Sequence, residues 1–98
     1  MLIKIHKSYR DVVAVCDNSL VGKKFEEGEF QLDVKESFFL GEDVKQEEAE
    51  EILKSLLAED STFNIVGEES VNAAKKAGII TDSHIKKISG IPFALILG

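Results

Sequence analysis

Two short polar stretches carry the residue types that could do chemistry, and each follows directly on a β-branched run. The first is Cys16-Asp17-Asn18-Ser19-Leu20-Val21-Gly22-Lys23-Lys24, the second Phe63-Asn64-Ile65-Val66-Gly67-Glu68-Glu69-Ser70. Chemistry in mixed α/β architectures gathers where strands give way to loops or helices, because backbone N–H groups and short side chains are freest there. In the second stretch, a strand entering a helix at Gly67 would present unpaired N–H groups and the positive end of the helix dipole, an anion-binding arrangement. Glu68 and Glu69 oppose that reading. Two carboxylates in the first helical turn already neutralise the dipole, and neither a second glycine nor a lysine completes a phosphate loop. A glycine helix boundary with stabilising acids is the more ordinary arrangement. Asn64 is harder to dismiss, because an amide in a strand between Phe63 and Ile65 needs partners if buried.

In the first stretch, Cys16 is the chain's one thiol, and His6 lies on the preceding strand-like segment, which raises a thiol nucleophile with a histidine base. Hairpin geometry argues against that dyad. With Lys7 to Asp11 as the connection, position 6 pairs near position 12 or 13, several residues from Cys16. A lone strand cysteine is more commonly a buried core residue. Asp17, Asn18 and Ser19 suit the capping of a turn as well as the binding of a ligand. His6 and His84 lack carboxylates at ligand spacing, so neither a metal nor a cofactor is expected. The candidate ligand- or partner-contacting residues are Asp17, Asn18, Lys23, Lys24, Asn64 and Gly67, with no catalytic residue assigned. Because Asp17, Asn18 and Asn64 each close or interrupt a strand of a small sheet, they are expected to converge.

The elements that must position these residues follow from periodicity. Leu2–Lys7 alternates and Val12–Cys16 is β-branched, which predicts a hairpin. Asn18–Lys24 reads as a single helical turn capped by Asp17 or Asn18. Glu29–Val34 alternates Phe30, Leu32 and Val34 against polar residues, the pattern of a strand with one buried face. Phe38–Leu40 reads as a short strand or a bulged continuation. Asp43 as N-cap with Gln46 three residues on resembles a capping box, followed by Ala49, Ile52, Leu53, Leu56 and Leu57 at helical steps. Thr62–Val66 is a predicted strand, and Glu68–Ala77 a short helix ended by Gly78. His84–Ile88 and Phe93–Leu97 are predicted strands joined through Ser89-Gly90. One α+β domain over residues 1–98 results, a small mostly antiparallel sheet of about five strands covered on one face by two helices. Five consecutive apolar residues, Phe93–Leu97, predict a central strand covered on both faces.

The hairpin ending in Cys16-Asp17, the run Gly22-Lys23-Lys24-Phe25-Glu26-Glu27-Gly28, Phe38 within Glu36-Ser37-Phe38-Phe39, and Phe63-Asn64-Ile65-Val66-Gly67-Glu68-Glu69-Ser70-Val71 together resemble a family of small archaeal proteins, domain of unknown function 424. The resemblance keeps the same order from Leu2 through Pro92-Phe93-Ala94. It implies an archaeal cytosolic protein of about this length, and it implies no activity and no catalytic assignment.

Composition narrows the classes. Apolar residues make up 44% and charged residues 31%, the profile of a folded domain rather than a disordered chain. One cysteine permits no internal disulfide. Early charges at Lys4 and Lys7 deny the N-terminus a signal-peptide core, and no apolar run approaches the ~20 residues of a membrane span. A cytoplasmic protein with no membrane partner is expected. The net charge of -6 argues against nucleic acid at face value. The distribution of charge removes that objection: eight acids and two lysines between Glu42 and Asp60 account for the whole excess. Elsewhere the chain is neutral, with basic pairs at Lys23-Lys24, Lys75-Lys76 and Lys86-Lys87. The leading expectation is a non-catalytic binding module acting on RNA, the ribosome or a translation-machinery protein. A small ligand-binding domain or enzyme using Asp17, Asn18, Lys23 and Asn64 is the alternative, and a structural subunit of an assembly the third reading.

Overall fold

Runs of β-branched and aromatic residues form the strands, and apolar residues at three- and four-residue steps form the helices. In chain order these are β1 (Leu2–His6), β2 (Val12–Cys16), a 3-10 turn (Asn18–Leu20), β3 (Lys24–Glu27), β4 (Phe30–Asp33), α1 (Glu36–Phe39) and β5 (Glu42–Asp43). There follow α2 (Gln46–Leu57), β6 (Thr62–Val66), α3 (Glu68–Lys76), a second 3-10 turn (Asp82–His84), β7 (Lys86–Ile88) and β8 (Ile91–Ile96). The computed structural model describes residues 1–97. Six strands form one sheet in the order β5-β1-β2-β6-β8-β7, while β3 and β4 pair only with each other. The sheet is mixed: β2 and β6 run parallel, with Val12 opposite Thr62 and Cys16 opposite Val66. Its other pairings are antiparallel.

Strand alternation sends two sets of side chains to opposite faces. Ile3, Val13, Val15, Phe63, Ile65 and Ala94 form a buried cluster with Ala49, Leu53 and Leu56 of α2 and Val71, Ala73 and Ala74 of α3. Burial of each large aliphatic here contributes roughly 1.5–3 kcal/mol. The opposite face buries Leu2, Ala14, Cys16 and Val66 beneath Val34 and Phe39, with Leu32 and Phe25 partly buried against them. That cover comes from α1 and the β3–β4 hairpin, and it reaches only part of the sheet. The two helices therefore share one face, as the sequence predicts, and the sheet has six strands rather than about five.

Several local expectations yield to tertiary pairing. Asp43 does not cap α2: it lies in β5 opposite Leu2, and Lys45 precedes the first helical turn with no side-chain cap. Backbone pairing to β1 and the Met1 ammonium, 3.2 Å from its carboxylate, outweigh the local capping signal. Phe38 and Phe39 belong to the single turn α1 rather than a strand, which puts Phe39 into the core. His84 closes a 3-10 turn instead of starting β7, held by its Nδ1 accepting the Thr81 N–H at 2.9 Å. Phe30, expected on a buried face, is 70% exposed at the free end of the β3–β4 hairpin.

The terminal strand is flanked on both sides only around Phe93. Phe93 lies between Val66 of β6 and Lys86 of β7, where the pairing with β7 ends, and beyond it β8 pairs only with β6. Leu95 is 53% exposed, so the expectation of cover on both faces fails there. Gly67 N–H donates to Pro92 O at 2.8 Å. The alternation of an antiparallel ladder then sends the N–H groups of Ala94 and Ile96 toward β6 and that of Leu95 toward the open side. Amide hydrogen exchange should follow that alternation. Ala94 and Ile96 are expected to be slow and Leu95 fast, and equal protection of all three would mean that the edge is covered.

Candidate functional site

The strand-to-helix junction predicted as a weak anion site is real, and the protein's own carboxylate fills it. Asp17 follows β2 and continues its ladder, its N–H donating to Val66 O at 3.1 Å. Alternation turns its side chain to the helical face, where it meets the start of α3. The N–H groups of Glu69 and Ser70 donate to Asp17 Oδ2 at 3.1 Å and Oδ1 at 2.8 Å, and the Ser70 hydroxyl donates to Oδ1 at 2.8 Å. Asp17 and Ser70 are both buried. The carboxylate supplies the negative charge that a helix N-terminus favours. It also explains Gly67, whose φ of +108° is the region favouring glycine and whose added Cβ would overlap the Asp17 carboxylate. An open pocket of about 370 Å³ beside this junction is bordered by Asp17, Glu68 and Glu69, and an anion would meet three carboxylates there.

The remaining candidates scatter. Asn18 is engaged elsewhere, its Oδ1 accepting from the Met1 ammonium. A hydrogen bond from Asn18, then the Met1 ammonium, lowers the pKa of the exposed Asp43 carboxyl from its ordinary value. Lys23 lies between the 3-10 turn and β3, its backbone tied to Leu20 and Val34, and Lys24 opens β3 opposite Asp33. Both lysine side chains are exposed, and neither forms an ion pair among the described residues. Asn64 sits mid-strand between Ala14 and Leu95, roughly 10 Å along the sheet from Asp17 at ~3.3 Å per residue. It points to the opposite face. Alternation alone separates the two, so Asp17, Asn18 and Asn64 do not form one site.

Cys16 is fully buried, and burial pushes the pKa of its thiol up to about 11, with the Asp17 charge adding to the rise. His6 is committed elsewhere, its Nε2 lying 2.8 Å from Phe38 O. No nucleophile–base pair exists between them, and among the described residues no group of three potential metal ligands occurs.

A second feature was marked in the sequence only by Asn64. The uncovered part of the hairpin-bearing face forms a groove of about 260 Å³, its floor on β6 and β8 and its walls on α1 and β4. Leu32, Phe38, Phe39, Val66, Phe93 and Leu95 make it apolar, and Asn64 supplies an amide in its floor. Among the described residues the Asn64 side chain has no hydrogen-bond partner. The Phe38 ring that borders the groove stacks on His6, centroids 4.6 Å apart and planes 16° from parallel, and meets Phe39 edge-on at 5.0 Å. Lys4 Nζ reaches Ser37 O beside it at 3.4 Å. Sequence reasoning missed the stack because it joins residues 32 positions apart.

The fold and these features define a small α+β protein whose main sheet is helix-clad on one face and half open on the other. Residues 6–98 match the family described as protein of unknown function (DUF424), and the chain belongs to that family. The fold is similar to that in the "Crystal structure of an uncharacterized conserved protein from Methanopyrus kandleri", with a TM-score of 0.82 and 24% identity over 97% of this chain and 88% of that one. None of the curated proteins matches this chain.

Two outcomes test the junction. Asp17→Ala is expected to cost roughly 2–3 kcal/mol of stability, the loss of charge-assisted bonds at a helix start. Gly67→Ala should cost more than that alone, yet clearly less when Asp17 is already alanine; equal costs in both backgrounds in urea melts would deny the contact. The thiol offers a separate check. Cys16 should resist iodoacetamide at pH 8 in the folded protein and react once urea unfolds it, and ready alkylation of the native form would contradict its burial.

Proposed function

We propose that this chain is a non-catalytic binding module whose half-open sheet face takes single-stranded RNA, free, on the ribosome or held by a translation factor. The observation that carries this reading is the groove: a stacked aromatic wall at Phe38 and an unpartnered amide at Asn64 on one accessible face. Unpaired bases are bound by such surfaces, through stacking on aromatic rings and hydrogen bonds to their exposed edges. Basic side chains border the same face. Lys4 lies beside α1, and Lys86, opposite Phe93, helps line a neighbouring hollow with Phe30. The acidic excess stays apart on α2 and its flanks.

The reading as a small-ligand domain or enzyme using Asp17, Asn18, Lys23 and Asn64 loses its support, since those residues are spread over both faces and Asp17 is already bound. An assembly role has one observation in its favour: Leu95 and Leu97, 53% and 67% exposed, leave apolar surface at the end of β8. No helix is long and apolar enough to cross a membrane.

Fluorescence anisotropy with a labelled mixed-sequence single-stranded RNA tests the proposal. Binding should be measurable at low salt and fall by roughly 0.7 log units per log unit of salt for each phosphate neutralised. Lys4→Glu should weaken it and flatten that slope. No binding at low salt would remove the RNA reading and leave the assembly role standing.

A further inference from the structure

The exposed ring of Phe30 borders a second hollow, which adjoins the groove. Phe30 pairs with Glu27 across the β3–β4 hairpin and shares its side of β4 with Leu32, two residues on. Leu32 packs against the sheet, whereas Phe30, at the hairpin's free end, is 70% exposed. Its hollow, about 280 Å³, is bordered by Phe30, Ile88, Phe93, Glu27, Lys86 and Lys87. Phe93 also borders the groove, so the two hollows meet at that residue. Lys86 pairs with Phe93 across the β7–β8 ladder, and paired residues send their side chains to the same face. A cation therefore stands beside the junction of two hollows, each with an aromatic wall.

We infer that Phe30 is a second base-stacking platform, and that Lys86 contacts the phosphate joining its base to the one in the groove. This inference rests on the reading of the sheet face as a site for single-stranded RNA. One hollow offers the Phe38 ring and the other the Phe30 ring, with the Lys86 ammonium beside their junction. A single strand repeats the matching order of base, phosphate and base. A free nucleotide has one ring to offer and leaves one platform empty. An acidic peptide meets the lysines with carboxylates but brings no ring at each step. Lys86 and Lys87 form no ion pair among the described residues, so their charges are free for phosphate. Glu27, the carboxylate of this hollow, is tied to the β7–β8 turn by the Ser89 N–H, which donates to its Oε1 at 2.8 Å. Stacking on a ring tolerates every base, so the arrangement selects a strand rather than a sequence.

The chain contains no tryptophan, so Phe30→Trp places a single fluorescent reporter in the hollow. Mixed-sequence single-stranded RNA at low salt should quench its emission with the midpoint read by anisotropy. The four mononucleotides should bind at least about fivefold more weakly than the strand. Phe30→Leu, which keeps an apolar side chain but not the ring, should weaken RNA binding at least about fivefold. Lys86→Gln should lower the salt slope by roughly 0.7. Both positions are exposed, and unchanged thermal unfolding checks that the variants fold. Binding by anisotropy with a silent tryptophan, and with Phe30→Leu as tight as the native chain, would overturn the second platform and leave the groove reading intact. Mononucleotides binding as tightly as the strand would overturn the assignment to a strand. Poly-glutamate quenching the tryptophan at the concentration of RNA would replace RNA with an acidic protein segment. Absence of RNA binding by either readout would remove this inference together with the reading on which it rests.

Discussion

The Asp17 carboxylate holds this fold at the point where its layers meet. It sits at the end of β2, yet its three hydrogen bonds go to the first turn of α3, so one side chain ties the sheet's central strand to a covering helix. A helix start has N–H groups that its own turns cannot satisfy. Here Gly67 makes no side-chain cap, and Asp17 supplies the acceptor from a neighbouring strand. The arrangement demands a glycine beside the carboxylate and a serine 53 positions along the chain but one bond away in space. Ser70 is fully buried and would be an unpaired hydroxyl without Asp17. Chemistry at this junction is thereby used up in architecture. A ligand would have to displace a buried carboxylate from three donors to reach the helix end.

Function is left to the other face. The helices α2 and α3 seal one side of the sheet with aliphatic side chains, whereas α1 and the β3–β4 hairpin are too short to seal the other. The uncovered remainder is neither plainly polar nor plainly apolar. Phe38 and Leu95 expose hydrophobic surface around an amide, a mixture that suits a partner with flat apolar faces and polar edges. Such a surface would be a poor choice for facing solvent alone.

Legibility in the sequence followed the range of the interactions. β1, β2, β6 and α3 were readable because their signals are local: β-branched runs, alternation, and a glycine with acids at a helix start. Asp43 and Gln46 carry an equally good local signal for a cap, and it misleads because pairing with Leu2 and the Met1 ammonium competes for the same residue. Phe38-Phe39 is ambiguous at any window length, being too short to show a period. Among the site residues, Asp17 and Gly67 each stand out in the sequence, but their contact depends on β2 and β6 lying parallel, which no local pattern records. Asn64 is visible as an amide out of place in an apolar strand. Its separation from Asp17 follows from the parity of strand positions, information present in the sequence once the register is known.

The parallel pairing of β2 with β6 also governs how the chain reaches this structure. The β1–β2 hairpin closes over a handful of residues and can form early, on the microsecond scale of isolated hairpins. β6 cannot join it until the segment holding β3, β4, α1, β5 and α2 has been gathered in, because Val12 pairs with Thr62. That closure loses chain entropy before any ladder bond rewards it. The sheet's middle is thus a late event despite being its most buried part. Until it happens, Val13, Val15, Phe63 and Ile65 remain uncovered, so the interval before β6 docks is when the nascent chain is most exposed to misassociation.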